Sequence, residues 1–75
     1  MRLSELREGE SATIVHVGGD GPLRRRILEM GLVKGTRVRV EKYAPLKDPL
    51  ELVARGVHLS LRVEEAEHIR VEKDD

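Results

Sequence analysis

A mainly β fold, a small five-stranded barrel with one short α-helix after the first strand and a short helical turn before the last, follows from three features of the sequence. Short runs in which apolar and polar residues alternate recur along the chain, most clearly in Thr36-Arg37-Val38-Arg39-Val40-Glu41. Clusters rich in glycine or proline punctuate them at Gly18-Gly19-Asp20-Gly21, at Ala44-Pro45-Leu46-Lys47-Asp48-Pro49 and at Gly56. Between Pro22 and Met30 the period changes, and Leu23, Ile27 and Met30 recur at helical spacing. Closure is how a few strands avoid exposed edges, which favours a closed barrel over a flat sheet.

Ser11 to Val17 is rich in β-branched residues and stops at the glycine cluster, which predicts the first strand. Pro22 suits the first turn of a helix and Gly31 can take the left-handed conformation that ends one, so a helix is expected over Pro22 to Met30. The second strand, Thr36 to Glu41, places Val38 and Val40 on one face and Arg37, Arg39 and Glu41 on the other. Neither Pro45 nor Pro49 can donate a backbone hydrogen bond, so 44–49 should be a loop or bulged corner. Leu50, Leu52 and Ala54 then alternate with Glu51, Val53 and Arg55, and Gly56 permits a tight reversal. The return arm of that hairpin is expected to direct Val57, Leu59 and Leu61 inward and to leave His58 and Ser60 outside. Glu64, Glu65 and Ala66 suit an exposed helical turn with both carboxylates solvated. Ile69 and Val71, alternating with His68 and Arg70, predict the last strand, and Glu72 to Asp75 a solvated tail. With no internal repeat and no linker, the 75 residues make one domain, 1–75.

Composition narrows what that domain does. Only 39% of residues are hydrophobic and Tyr43 is the only aromatic, so the core is built from Leu, Val, Ile, Ala and Met. Fourteen basic residues balance 14 acidic ones, leaving no general field to draw in nucleic acid or an anionic membrane. The absence of cysteine removes disulfides, thiolate metal sites and cysteine nucleophiles, and fits a reducing compartment. No stretch approaches the roughly 20 apolar residues of a membrane span, and Met1 to Leu6 lacks the apolar run of a signal peptide. A soluble, cytoplasmic protein is expected.

Each candidate chemistry meets a plainer alternative. The glycine cluster before the helix lacks the Lys and Ser or Thr of a phosphate-binding loop, and Pro22 removes a backbone donor. His16, His58 and His68 have no metal-ligand spacing, so no metal site and no cofactor are expected, with Fe(II) or another divalent transition metal held as the alternative. Nothing places Ser4, Ser11 or Ser60 beside a base and an orienting group, which argues against an enzyme. Arg24-Arg25-Arg26 spreads around the helix instead of forming one basic face, and there are no stacking aromatics, so nucleic acid is not the expected partner. Tyr43 alone cannot line a groove for a proline-rich peptide.

Leu28 lies roughly 140° around the helix from Leu23, off the core-facing stripe. Either the helix is clasped on two sides, or Leu28 and Leu32 form an exposed apolar contact for a partner. Leu46, at the tip of the proline-flanked loop, would extend such a patch.

Leu23 to Leu32, Gly35, Ala44-Pro45-Leu46 with Asp48-Pro49, Arg55-Gly56, and Leu59-Ser60-Leu61-Arg62 with Glu65-Ala66 together resemble the FeoA family, as do Leu3-Ser4-Glu5-Leu6 and Gly9-Glu10 near the start. The resemblance covers nearly the whole chain. Val33-Lys34 stands before Gly35 where the family often has a proline, and Lys47 stands where a glycine is common. The resemblance implies an SH3-like barrel without catalysis of its own, assisting FeoB, a membrane ferrous-iron transporter with a cytosolic GTP-binding domain. It also implies location in the cytoplasm, at the inner face of the membrane through that partner. The same domain type resembles the C-terminal domain of iron-dependent repressors, whose DNA-binding helices this chain lacks. Leu28, Leu32 and Leu46 are then the expected apolar contacts, Arg24 and Arg25 the charged rim, with a weak homo-oligomer a further expectation and no direct membrane insertion.

Overall fold

The structure, a computed structural model, describes residues 1–74. A turn of 3-10 helix (Leu3–Glu5) leads into β1 (Ser11–Val17), α1 (Gly21–Glu29), β2 (Arg37–Tyr43), β3 (Leu50–Ala54), β4 (Val57–Leu61), α2 (Val63–Ala66) and β5 (Ile69–Lys73). The strands form one antiparallel sheet in the order β4-β3-β2-β1-β5.

Local chemistry accounts for the element boundaries. Asp20 caps α1 by accepting the Leu23 N–H on Oδ1 at 2.9 Å, and Pro22 occupies a first-turn position whose N–H would have no helical partner. Gly31, at φ +86°, ends the helix in the left-handed conformation expected of it. Arg55 and Gly56 stand at φ +54° and +76°, the pair of positive values that a two-residue hairpin turn between β3 and β4 requires.

Period-two alternation buries Ala12 and Ile14 of β1, Val38 and Val40 of β2, and Leu50 and Leu52 of β3. A register shift between Ile14 and His16 then changes which face the strand presents, so Val17 is buried while His16 is exposed. A second shift, between Val40 and Lys42, carries β2 past the point where the apolar alternation stops. Leu3, Leu6, Ile27, Leu32 and Ala66 join the strand residues in a single core.

Four expectations are corrected. The sheet is barrel-like but not closed: β4 and β5 are its two edges, because the chain between them forms α2 and the core there is completed by side chains from the helical segments. The stretch expected to be a solvated tail begins inside β5, where Glu72 pairs with Thr13 and Lys73 with Ala12 through the backbone; Asp75 lies outside the described residues. Val57 is 54% exposed instead of inward, since it sits at the hairpin end of an edge strand. Glu65 is buried, its Oε1 accepting the Arg62 N–H at 3.0 Å and its Oε2 lying 3.4 Å from Arg26 Nη1. Among the described residues no helix is long and apolar enough to cross a membrane.

Candidate protein-binding surface

The three arginines of α1 have different surroundings. Arg24 Nε donates to the Val17 carbonyl at 3.1 Å, which ties the start of the helix to the end of β1. Arg26 reaches Glu65 and so links α1 to α2. Arg25 is exposed and forms no ion pair among the described residues. Leu28 is half-buried: it packs against the core on one side and on the other lines an open hollow of about 440 Å³ with Gly21, Arg24, Arg25 and Glu29. The hollow therefore has an apolar floor and a rim that carries two cationic side chains and one carboxylate.

Leu32 does not belong to this surface. Its side chain is fully buried, because the left-handed turn at Gly31 folds the chain back under the helix, where the Leu32 N–H donates to the Ile27 carbonyl at 3.4 Å. The helical-wheel relation between Leu28 and Leu32 lapses at that turn. Leu46 has the opposite fate and is 90% exposed at the tip of its loop. Short backbone bonds hold that loop, from Lys47 N–H to the Ala44 carbonyl at 2.6 Å and from Ala44 N–H to the Pro49 carbonyl at 2.9 Å. Asp48 Oδ1 accepts the Val63 N–H at 3.1 Å and pins the loop to α2.

Beside the loop runs an open groove of about 750 Å³, lined among others by Leu6, Glu8, Tyr43, Pro45, Lys47 and Val63. The Tyr43 hydroxyl donates to the Leu6 carbonyl at 2.6 Å, with the Ser4 carbonyl at 3.2 Å, so it staples the N-terminal segment to β2. Partial burial, then the negative charges of Glu10 and Glu8, push its phenol above the ordinary range. Spacing marks neither Leu6 nor Val63 as a surface candidate, and Tyr43 enters only as too little for a proline-rich peptide groove; a lone aromatic next to a proline-flanked loop is the available signal. Leu28 and the Leu46 loop border separate hollows, so they form two apolar points and not one continuous patch.

The histidines are not assembled. His16 and His68 approach the same glycine turn, where the Gly18 N–H donates to the His68 carbonyl at 2.8 Å, while His58 lies on β4 with β3 and β2 between it and β1. No group of three or more His, Cys, Asp or Glu side chains able to hold a metal ion occurs among the described residues. Gly19 has φ +96°, and a Cβ there would lie 3.1 Å from Leu23 Cδ2, so the glycine cluster lets strand and helix meet closely.

A small SH3-like β domain, five antiparallel strands with two short helices around one core, is the class these observations define. The FeoA domain family matches residues 1–73, and the chain belongs to that family. It is 50% identical over 72 residues to an Fe(2+) transport protein A/Fe(2+) transporter FeoB fusion protein of Porphyromonas gingivalis, covering 96% of this chain and 8% of that protein, so it spans only a small part of that relative's length. The solution structure of FeoA from Chlorobium tepidum is 41% identical, covers 97% of this chain and 70% of that one, and superposes with a TM-score of 0.90. FeoA of Stenotrophomonas maltophilia, described as a prokaryotic SH3 domain protein and crystallised with zinc, is 33% identical over 96% of this chain and 89% of its own, with a TM-score of 0.82.

Proposed function

We propose that this chain is a non-enzymatic, cytoplasmic accessory protein of ferrous iron uptake. In this reading it binds the cytosolic, GTP-binding part of a FeoB-type transporter and biases its conformational or nucleotide cycle. The observation that carries the reading is the Porphyromonas gingivalis relative, in which a domain of this kind and the transporter are one polypeptide. Fusion holds two modules at high effective concentration, which suits modules that otherwise meet by weak contact.

The contacts are assigned to Leu28 with Arg24 and Arg25 on α1, and to Leu46 at the tip of the 44–49 loop. A half-buried leucine rimmed by two arginines and Glu29 suits an apolar anchor with a net negative flank, and a 90% exposed leucine on a loop whose backbone is already tied down needs little further backbone ordering on docking. A bias on the transporter needs unequal affinity for its states, so the bound nucleotide should change the affinity measured. The test is calorimetry of the purified domain against the transporter's cytosolic part in GDP and in a GTP analogue, with L28E and L46E beside the wild type. Both variants are expected to fold and to weaken binding at least about tenfold; a folded L28E variant that binds as the wild type does removes the assignment.

A second reading, direct binding of Fe(II) or another divalent metal, is favoured by the zinc in the Stenotrophomonas maltophilia structure. The described residues of this chain bring no three such ligands together, so a tight preformed site does not fit them. Saturable, stoichiometric Fe(II) binding under anaerobic conditions, lost on changing His58 or His68, would favour that reading over the first.

A further inference from the structure

The two edges of the sheet are protected unequally. Along β5 the N-terminus acts as a cover: the Val71 N–H donates to the Met1 carbonyl at 2.8 Å, the Met1 amino group donates to the Val71 carbonyl at 3.3 Å, and Arg2 bridges to Arg70. β5 also carries Arg70, Glu72 and Lys73. β4 has none of these devices. Val57-His58-Leu59-Ser60-Leu61 contains no proline and no Lys, Arg, Asp or Glu, and it pairs with β3 without a register shift. Charges, prolines and bulges are what normally keep an edge strand from pairing with another chain.

The register shows which backbone groups that edge presents. Because the Arg55-Gly56 turn has two residues, Ala54 and Val57 form a hydrogen-bonded pair, and alternation makes Leu52/Leu59 and Leu50/Leu61 the next ones. The N–H and C=O groups of His58 and Ser60 therefore point away from β3. Both residues are exposed, and neither backbone has a partner outside the sheet among the described residues.

We propose that β4 is a self-pairing edge, through which two copies of this chain join antiparallel about a two-fold axis at Leu59 and merge their sheets into one. The strand is self-complementary in that arrangement. His58 falls opposite Ser60 of the second copy and Ser60 opposite its His58, so their outward backbone groups satisfy each other reciprocally. Val57 falls opposite Leu61. No like charges face one another, since Arg62 meets Gly56 and Arg55 meets Val63. One short strand pair buries far less than the roughly 1,200 Å² of a stable interface, so the dimer is weak and forms only at high concentration. This edge is distinct from the α1 and 44–49 surfaces, and the inference stands without the transporter.

Sedimentation velocity over a concentration series, in chelator so that metal cannot bridge His58, is the test. The wild type is expected to move from monomer towards dimer as concentration rises, and amide exchange at His58 and Ser60 to slow in step. Ser60→Pro removes an outward N–H and no internal ladder bond, and is expected to lower the association constant at least about tenfold. The double variant His58→Lys with Ser60→Lys sets lysine opposite lysine on an exposed face, and decides the matter if the proline variant fails to fold. A monomer at every concentration, or a dimer that survives the double lysine variant, overturns the proposal. So does a wild type that stays monomeric while the transporter's cytosolic part protects the His58 and Ser60 amides, because the edge then takes a foreign strand.

Discussion

Replacing Tyr43 with Phe isolates the hydroxyl that fastens the N-terminal segment to β2. The ring stays and keeps its packing, while the 2.6 Å bond to the Leu6 carbonyl is lost. A net hydrogen bond contributes about 1 kcal/mol, and the penalty for the abandoned carbonyl stays at the low end because the groove is open to water. A loss of about 1 kcal/mol lowers Tm by about 4–8 °C in a domain of this size. The phenol adds a pH signature. Its folded-state pKa is raised, so its contribution is fully present below the unfolded value of about 10 and is lost as pH rises through the folded one. Thermal melts of wild type and Y43F at neutral pH should differ by this amount, and the gap should narrow above about pH 10. A Y43F protein at least as stable as the wild type at neutral pH refutes the staple.

A buried leucine, a left-handed lysine and an ion-paired carboxylate give three further outcomes. Leu32→Ala empties a fully buried site and should destabilise by about 2–5 kcal/mol in denaturant unfolding, while the affinity of the folded fraction for any partner of α1 stays unchanged. Lys47→Gly relieves a left-handed residue at φ +65°; about 1–2 kcal/mol of strain against about 0.5–1 kcal/mol of glycine entropy leaves a net gain of up to about 1.5 kcal/mol, readable as a raised denaturation midpoint. Glu10 is held below the ordinary carboxylate range by the Lys73 ammonium and then by the Arg7 N–H, so its contribution is present above the unfolded pKa and lost as pH falls through the folded one; in E10Q the acid limb of the stability profile should lose that component.

Where a backbone feature and an apolar pattern agree, this fold is legible in the sequence. β1 runs over the residues its β-branched stretch predicts, and α1 starts one residue before Pro22 because Asp20 caps it. Main-chain pairing needs no apolar side chains, which is why β5 continues through Glu72 and Lys73 into what composition suggested was a tail. The shift at Val40 ends the alternation before β2 itself ends, and so hides the strand residues Lys42 and Tyr43 from a period-two reading. Leu32 and Glu65 show the same limit at single sites. One is drawn inward by a left-handed turn, and the other by a cap on α2 and an arginine from α1, and neither relation is visible in spacing alone. Of the five candidate contacts, Leu46, Arg24 and Arg25 are exposed, Leu28 is half-buried, and Leu32 is withdrawn into the core.

The outer surface at α1 and the 44–49 loop is the proposed site of contact with the transporter. Titrating the isotope-labelled domain with the unlabelled cytosolic part of a FeoB-type transporter, and following every backbone amide, tests it directly. Saturable shifts concentrated at residues 21–29 and 44–49, with the interior of β1 unmoved, are the predicted result. A titration that leaves both segments unmoved, or one whose shifts gather around the histidines and appear only with added Fe(II), contradicts it.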